Sequence, residues 1–225
     1  MSKILHYSSL TKKVIMSIAG IFLMLFLIVH LGINLFILPL TEGHEQIFHD
    51  AVMFMTTNPL VKVMEVFLAA AFIIHIIQGI ILQIQNWMAR PKRYRVEGWS
   101  HTSVFSKFMI HTGAVVLVFL IIHLSNFYFV KLGFTEAPEG PVSVTSNHDF
   151  YSMAINLFSS TGYAVMYIVM ILILGFHLNH AFQSAFQTFG LNHSKYTPAI
   201  KLVGNIYSIV IPLGFIIIPG YFLLF

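Results

Sequence analysis

The sequence predicts an all-α membrane protein, a bundle of five transmembrane helices forming one domain over residues 1–225. Three observations lead there. Only 9% of the 225 residues are charged and 57% are hydrophobic, whereas a soluble domain has about a quarter of its residues charged. Five apolar runs are each long enough to cross a hydrocarbon core of about 30 Å, which takes about 20 helical residues. The runs are continuous rather than alternating, and backbone in lipid must satisfy its own hydrogen bonds, so they read as helices and not as strands.

The first helix is expected over 13–38, stopping near Pro39. Lys3, Lys12 and Lys13 precede it in the manner of a signal peptide. The apolar stretch is too long for that and lacks a small-residue cleavage site, so it reads as a retained span. The second helix, over 60–88, follows Asn58-Pro59 and ends just before Pro91, a usual stop signal. The third covers 106–130. The fourth is the longest, 152–189, with Thr161 as an alternative start and Gly190 closing it. The fifth covers 198–224 and contains Pro212 and Pro219, expected kink sites that neighbouring helices can accommodate.

Charge orients the bundle. Ten of the twelve Lys and Arg fall on one side. They lie in the tail before the first helix, in the segment Arg90 to Arg95 with Lys107, and at Lys195 and Lys201. The two loops of the other side are acidic, with Glu42, Glu45 and Asp50 in one and Glu136, Glu139 and Asp149 in the other. The basic side is expected to be cytoplasmic, which puts the N-terminus inside and the C-terminus outside. The formal charge of +4 is explained by this topology, so no nucleic-acid partner is expected. The absence of cysteine excludes disulfides, covalently attached c-type haem and a cysteine-ligated iron–sulfur cluster within this chain.

Twelve histidines are the conspicuous chemistry. His6, His44, His49, His101, His148 and His193 lie in loops or tails and read as solvated. His30, His75, His123 and His177 lie inside apolar runs, where an ionisable residue points to a functional site. At 1.5 Å per residue, His30 and His123 lie roughly 14 and 12 Å in from the outer side. His75 and His177 both lie roughly 24 Å in, which separates two levels by about 10 Å. The four thus sort into an outer and an inner pair, each joining two helices. Paired neutral imidazoles can hold haem iron from both faces, and an iron so filled favours electron transfer over catalysis. Gly32, Gly79, Gly113 and Gly175, within a few turns of these histidines, would let a flat macrocycle approach the backbone. Two other readings stay open at this point: a proton- or metal-conducting path, and histidines that merely bond helix to helix. His180 could compete with His177 as a ligand, and His111 could meet a haem propionate or a partner subunit.

At these residues the sequence resembles the five-helix, two-haem cytochrome b subunit of succinate:quinone oxidoreductases, the succinate dehydrogenase and fumarate reductase complexes. The similarity covers essentially the whole chain. It is carried by Val29-His30-Leu31-Gly32-Ile33-Asn34, by His75-Ile-Ile-Gln-Gly79, by Thr112-Gly113 with His123 ten residues on, and by Phe176-His177-Leu-Asn-His180 with Phe189-Gly190. The resemblance implies two haem b groups, with His75 and His177 on the cytoplasm-proximal iron and His30 and His123 on the distal one. It decides for His177 over His180. It implies a FAD-containing flavoprotein subunit and an iron–sulfur subunit as partners, and a quinone, menaquinone or ubiquinone, as the electron-exchanging substrate. A respiratory chain or tricarboxylic acid cycle role in the bacterial cytoplasmic (inner) membrane follows, as a multi-pass protein in contact with lipid. A dimer of the whole complex is an open alternative. Where some members carry a glutamate two residues before the helix IV ligand, this chain has Gly175, so a proton route of that kind lacks its carboxylate. Candidate quinone residues at the outer end are His44, His49, Glu65 and Asn126, with Glu42 nearby. The rivals are a haem-bearing anchor of another dehydrogenase and a histidine-lined ion transporter.

Overall fold

A computed structural model describes residues 9–88 and 108–225. The basic segment Arg90 to Arg95, Pro91, Ser106, Lys107, Lys3, His6 and His101 lie outside the described residues. Among the described residues seven helices follow in order: α1 Ser9–Asn34, α2 His44–Thr57, α3 Pro59–Met88, α4 Met109–Lys131, α5 Phe150–Ser159, α6 Thr161–Thr188 and α7 Thr197–Leu224. No strand occurs among the described residues. α1, α3, α4, α6 and α7 are long and apolar enough to cross a membrane, so this is a multi-pass membrane protein.

Local chemistry sets the boundaries. A 3-10 turn, Leu35–Ile37, tightens the end of α1 just before Pro39. Asn58 is extended and its Oδ1 accepts from the backbone N–H groups of Leu60 (2.9 Å) and Val61 (3.4 Å), capping α3 while Pro59 occupies the first turn. α4 contains a π-helical turn, Leu124–Tyr128, directly after His123. α7 runs unbroken through Pro212 and Pro219, which are both buried in the bundle.

Two expectations change. The long fourth helix is two helices, α5 and α6, separated by an extended Ser160 (φ −81°, ψ 110°). A continuous 152–189 helix would be about 57 Å long, well beyond the hydrocarbon core. Asp149 caps α5, accepting from Ser152 N–H at 3.1 Å. The acidic loop after α1 also holds an unforeseen helix, α2, entered through Gly43 in the left-handed region (φ 72°). α2 and α5 pack on each other and cover one end of the bundle, referred to below as the capped end. The most continuous core lies there, with Ile37, Leu38, Phe48, Ala154, Leu157, Phe158 and Tyr167 buried together.

The spans do not pack evenly. α6 and α7 share the longest contact, and α1 lies against both. Tyr207 of α7 donates to the Met24 carbonyl of α1 at 2.6 Å. Gly175 sits where α6 meets α7: a Cβ there would lie 3.0 Å from the Ser208 carbonyl and 3.2 Å from Pro212 Cγ. Pro212 has no N–H for that carbonyl, and the bare Gly175 backbone fills the space. Gly175 is therefore a helix-packing glycine on the α7 side, not part of a cradle for a flat ligand. α3 rests on α1 and α2, and α4 rests on α6. α1 and α4 share no extended contact, and neither do α3 and α6.

A candidate two-level histidine site

The four intramembrane histidines close as two pairs. His30 of α1 faces His123 of α4 with ring centroids 5.8 Å apart and planes at 86°. His75 of α3 faces His177 of α6 with centroids 6.2 Å apart and planes at 79°. Each pair spans two helices that do not pack directly on one another, so the rings meet across a gap between spans. An imidazole nitrogen binds a first-row metal at about 2.0–2.1 Å, so two rings on opposite sides of one ion have centroids about 6 Å apart. The two separations, 5.8 and 6.2 Å, are compatible with that and equally with a direct edge-to-face ring contact.

The His30–His123 level lies nearer the capped end and is walled by aromatic rings. Phe26 stacks on His30 at 5.1 Å and Phe215 of α7 lies 5.5 Å from it. Phe119, Phe127 and Tyr167 surround His123 at 5.8, 5.2 and 6.2 Å. Tyr167 is 3% exposed, and its hydroxyl accepts from Asn126 at 3.0 Å. Asn34 Nδ2 donates to the His30 carbonyl at 2.7 Å and lies 3.3 Å from His30 Nδ1.

The His75–His177 level is shaped by glycines. A Cβ on Gly20 of α1 would lie 3.5 Å from the His75 ring, and one on Gly113 of α4 would lie 3.4 Å from the His177 ring. Gly20 precedes His30 by ten residues, and Gly113 precedes His123 by the same number. α1 and α4 thus repeat one device: a glycine beside an imidazole of the neighbouring span, then their own imidazole about 15 Å further along. The levels are separated by about that distance, more than the roughly 10 Å expected from counting inward from helix ends. Helix-end uncertainty accounts for the difference. Gly113 is the one glycine of the four expected that touches a paired imidazole. Gly32 and Gly79 face open space, since a Cβ on either would meet nothing within 4 Å. Gly20 was not anticipated; its ten-residue spacing to His30, matching Gly113 to His123, was the available signal.

The donor set restricts what could bind. Among the described residues no group of three or more His, Asp or Glu could hold a metal ion. A bare divalent ion needs about four protein or water donors. Two facing imidazoles without a third side chain suit a metal that brings its own equatorial ligands, as a tetrapyrrole iron does. Nδ1 of His75 and Nδ1 of His123 are buried without a well-formed hydrogen bond, so each level keeps a polar demand that side chains do not meet. The Met16 backbone lies close enough to interact with the His75 ring.

No protein-family model, curated protein or solved structure matches the chain.

The other sequence-predicted residues scatter. His44 and His49 of α2 flank Tyr151 of α5 at 6.1 and 5.8 Å on the capped end. His44 Nδ1 lies 3.1 Å from the Phe36 carbonyl, and His49 lies 3.9 Å from Glu45. Glu65 binds Lys131, which donates to both carboxylate oxygens at 3.0 and 3.1 Å and clips α3 to the end of α4. Asn126 is engaged with Tyr167. These four candidates therefore hold three separate sets of partners and do not converge on one cavity. Glu42 is exposed. His180 forms no ring pair of its own among the described residues, and His111 is exposed at the start of α4, beside Phe108.

Proposed function

We propose that the chain is a di-haem cytochrome b membrane anchor of a succinate dehydrogenase or fumarate reductase complex. It would pass electrons between an iron–sulfur subunit and a membrane quinone, menaquinone or ubiquinone. The observation that carries this reading is the closure of four imidazoles, one from each of α1, α3, α4 and α6, as two facing pairs at two depths. His75 and His177 would hold one haem b iron, and His30 and His123 the other. The haems would supply one-electron transfer, with two imidazoles of this chain available to each iron. The side chains do the rest. Aromatic walls keep water from the His30–His123 level, and Gly20 and Gly113 admit the His75 and His177 rings close to neighbouring backbone.

Loop charge supports a cytoplasmic N-terminus, which makes the capped end the outer face in a bacterial cytoplasmic membrane. The His75–His177 level then lies nearer the cytoplasm, where a flavoprotein and an iron–sulfur subunit would dock. Succinate chemistry belongs to those partners. Quinone exchange falls at the capped end, where His44 and His49 are half-buried beside Tyr151. A haem-bearing anchor of another dehydrogenase would share the imidazole pairs and differ in its partners.

The test is a pyridine haemochrome measurement on the purified complex, with its subunits identified. Two haems b per chain are expected, together with a flavoprotein and an iron–sulfur protein. His123→Ala is expected to leave one haem that succinate still reduces. A purified wild-type chain with no haem would return the histidines to the ion-path or helix-bonding readings.

A further inference from the structure

The geometry points to Thr112 as the positioning residue that fixes the tautomer of His177. This inference rests on the haem reading above and assigns a role to a side chain that touches no iron.

The argument is one of proton inventory. Thr112 stands one residue before Gly113, on the turn of α4 that faces His177 of α6. Its Oγ1 lies 3.0 Å from the Met109 carbonyl one turn back and 3.4 Å from His177 Nδ1. A threonine hydroxyl has one proton and two lone pairs, and a carbonyl can only accept. The hydroxyl proton is therefore committed to Met109, and a lone pair faces His177. The contact is satisfied when Nδ1 carries the imidazole proton and donates it to Oγ1. A neutral imidazole has one ring proton, so Nε2 is left as a free lone pair. That is the form an imidazole must take to bind iron through Nε2, and Thr112 selects it before any ligand arrives. Gly113 completes the seat: with no Cβ, the backbone stays clear of the ring, whose Cε1 lies 3.4 Å from where a Cβ would be.

The other three imidazoles lack this arrangement. Nδ1 of His75 and of His123 has no well-formed partner. His30 Nδ1 faces the Asn34 amide nitrogen, a donor whose orientation is fixed by its 2.7 Å bond to the His30 carbonyl. That amide already donates to the His30 carbonyl and offers Nδ1 no acceptor. Among the four, His177 alone is held by a side chain whose free valence is an acceptor.

The chemical consequence is specific. An oxygen accepting from Nδ1–H makes the imidazole a more basic ligand. A more basic axial ligand favours the oxidised metal. Removing the acceptor should raise the midpoint potential at the His75–His177 level and leave the other level unchanged.

The experiment is a spectroscopic redox titration of the purified whole complex carrying Thr112→Val or Thr112→Ser. Valine keeps the shape and removes the oxygen, whereas serine keeps the oxygen. With valine, the reduced-to-oxidised ratio of one haem should rise about three- to tenfold at a fixed potential, a tenfold change being about 59 mV for one electron. Serine should restore the wild-type value. Wild-type midpoints for both haems in the valine variant would overturn the inference while leaving the haem reading intact. Absence of haem from the wild-type protein would instead remove that reading. If valine costs the chain its inner haem, serine decides: a serine variant with two haems at wild-type potentials supports the role, and one that behaves like valine overturns it.

Discussion

His177 leans on α4 at a point where a single hydrogen atom stands in for a side chain. A Cβ at Gly113 would sit at ordinary contact distance, 3.4 Å, from Cε1 of the ring. Gly113→Ala should therefore fold and keep its imidazole pair. Gly113→Leu adds carbons that must enter the ring's place, and overpacking of this kind costs about 1–3 kcal/mol. Thermal unfolding of the two variants in detergent, read beside haem content, should rank leucine well below alanine; equal behaviour would mean the ring has room to withdraw. The four paired histidines were legible in the sequence because each stands inside an apolar run, and depth can be counted at a fixed rise per residue. Tyr167 and Gly20 were not. Their roles depend on which spans are neighbours, and apolar runs of similar composition carry no record of that.

At the scale of elements, the capped end depends on how α5 starts. Asp149 is buried. Burial alone would push its carboxyl up, but bonds from the Thr145 and Ser152 backbone N–H groups and from their hydroxyls outweigh this and hold it below the usual carboxylate range. The group is more acidic folded than unfolded. Its stabilisation is complete above the unfolded value of about 3.9 and fades as pH falls through the lower folded value. The protection factors of the α5 amides, taken relative to intrinsic exchange at each pH, should therefore fall as the protein is taken from pH 5 to pH 3. Asp149→Ala should cost about 1 kcal/mol at neutral pH and flatten that dependence; an unchanged profile would mean another group governs the cap. The five spans were visible as long apolar runs. α2 escaped because a short amphipathic helix lying across a bundle end has the composition of a loop, and α5 was read as the first turns of the fourth span. The alternative start at Thr161 is where the span begins, but that the helix before it is a separate one was not legible, because nothing near Ser160 except the required length forces a break.

Across the whole molecule, the five spans divide into a kernel and two outriggers. In α1, α6 and α7 between 22% and 28% of the apolar membrane-spanning stretch is buried by protein, against 6% in α3 and in α4. α3 rests chiefly on α1, α4 rests chiefly on α6, and the Lys131–Glu65 ion pair ties the two outriggers together near the capped end. Each outrigger also carries one imidazole of a pair whose other member belongs to the kernel. The five-helix count was legible, but this unequal packing was not, since lipid-facing and protein-facing helix surfaces are equally apolar.

That division governs the life of a newly made chain. α1, α6 and α7 can grip one another unaided, while α3 and α4 keep most of their surface outside the frame. A group clasped between kernel and outrigger imidazoles would add its own binding free energy to the docking of both helices. Starved of that group, the polypeptide should wait in the bilayer half latched, open to membrane proteases. Pulse-labelled chains in haem-deficient cells should therefore disappear several-fold faster than in replete cells, with the first cuts beside α3 or α4; equal lifetimes would show that the outriggers hold by themselves.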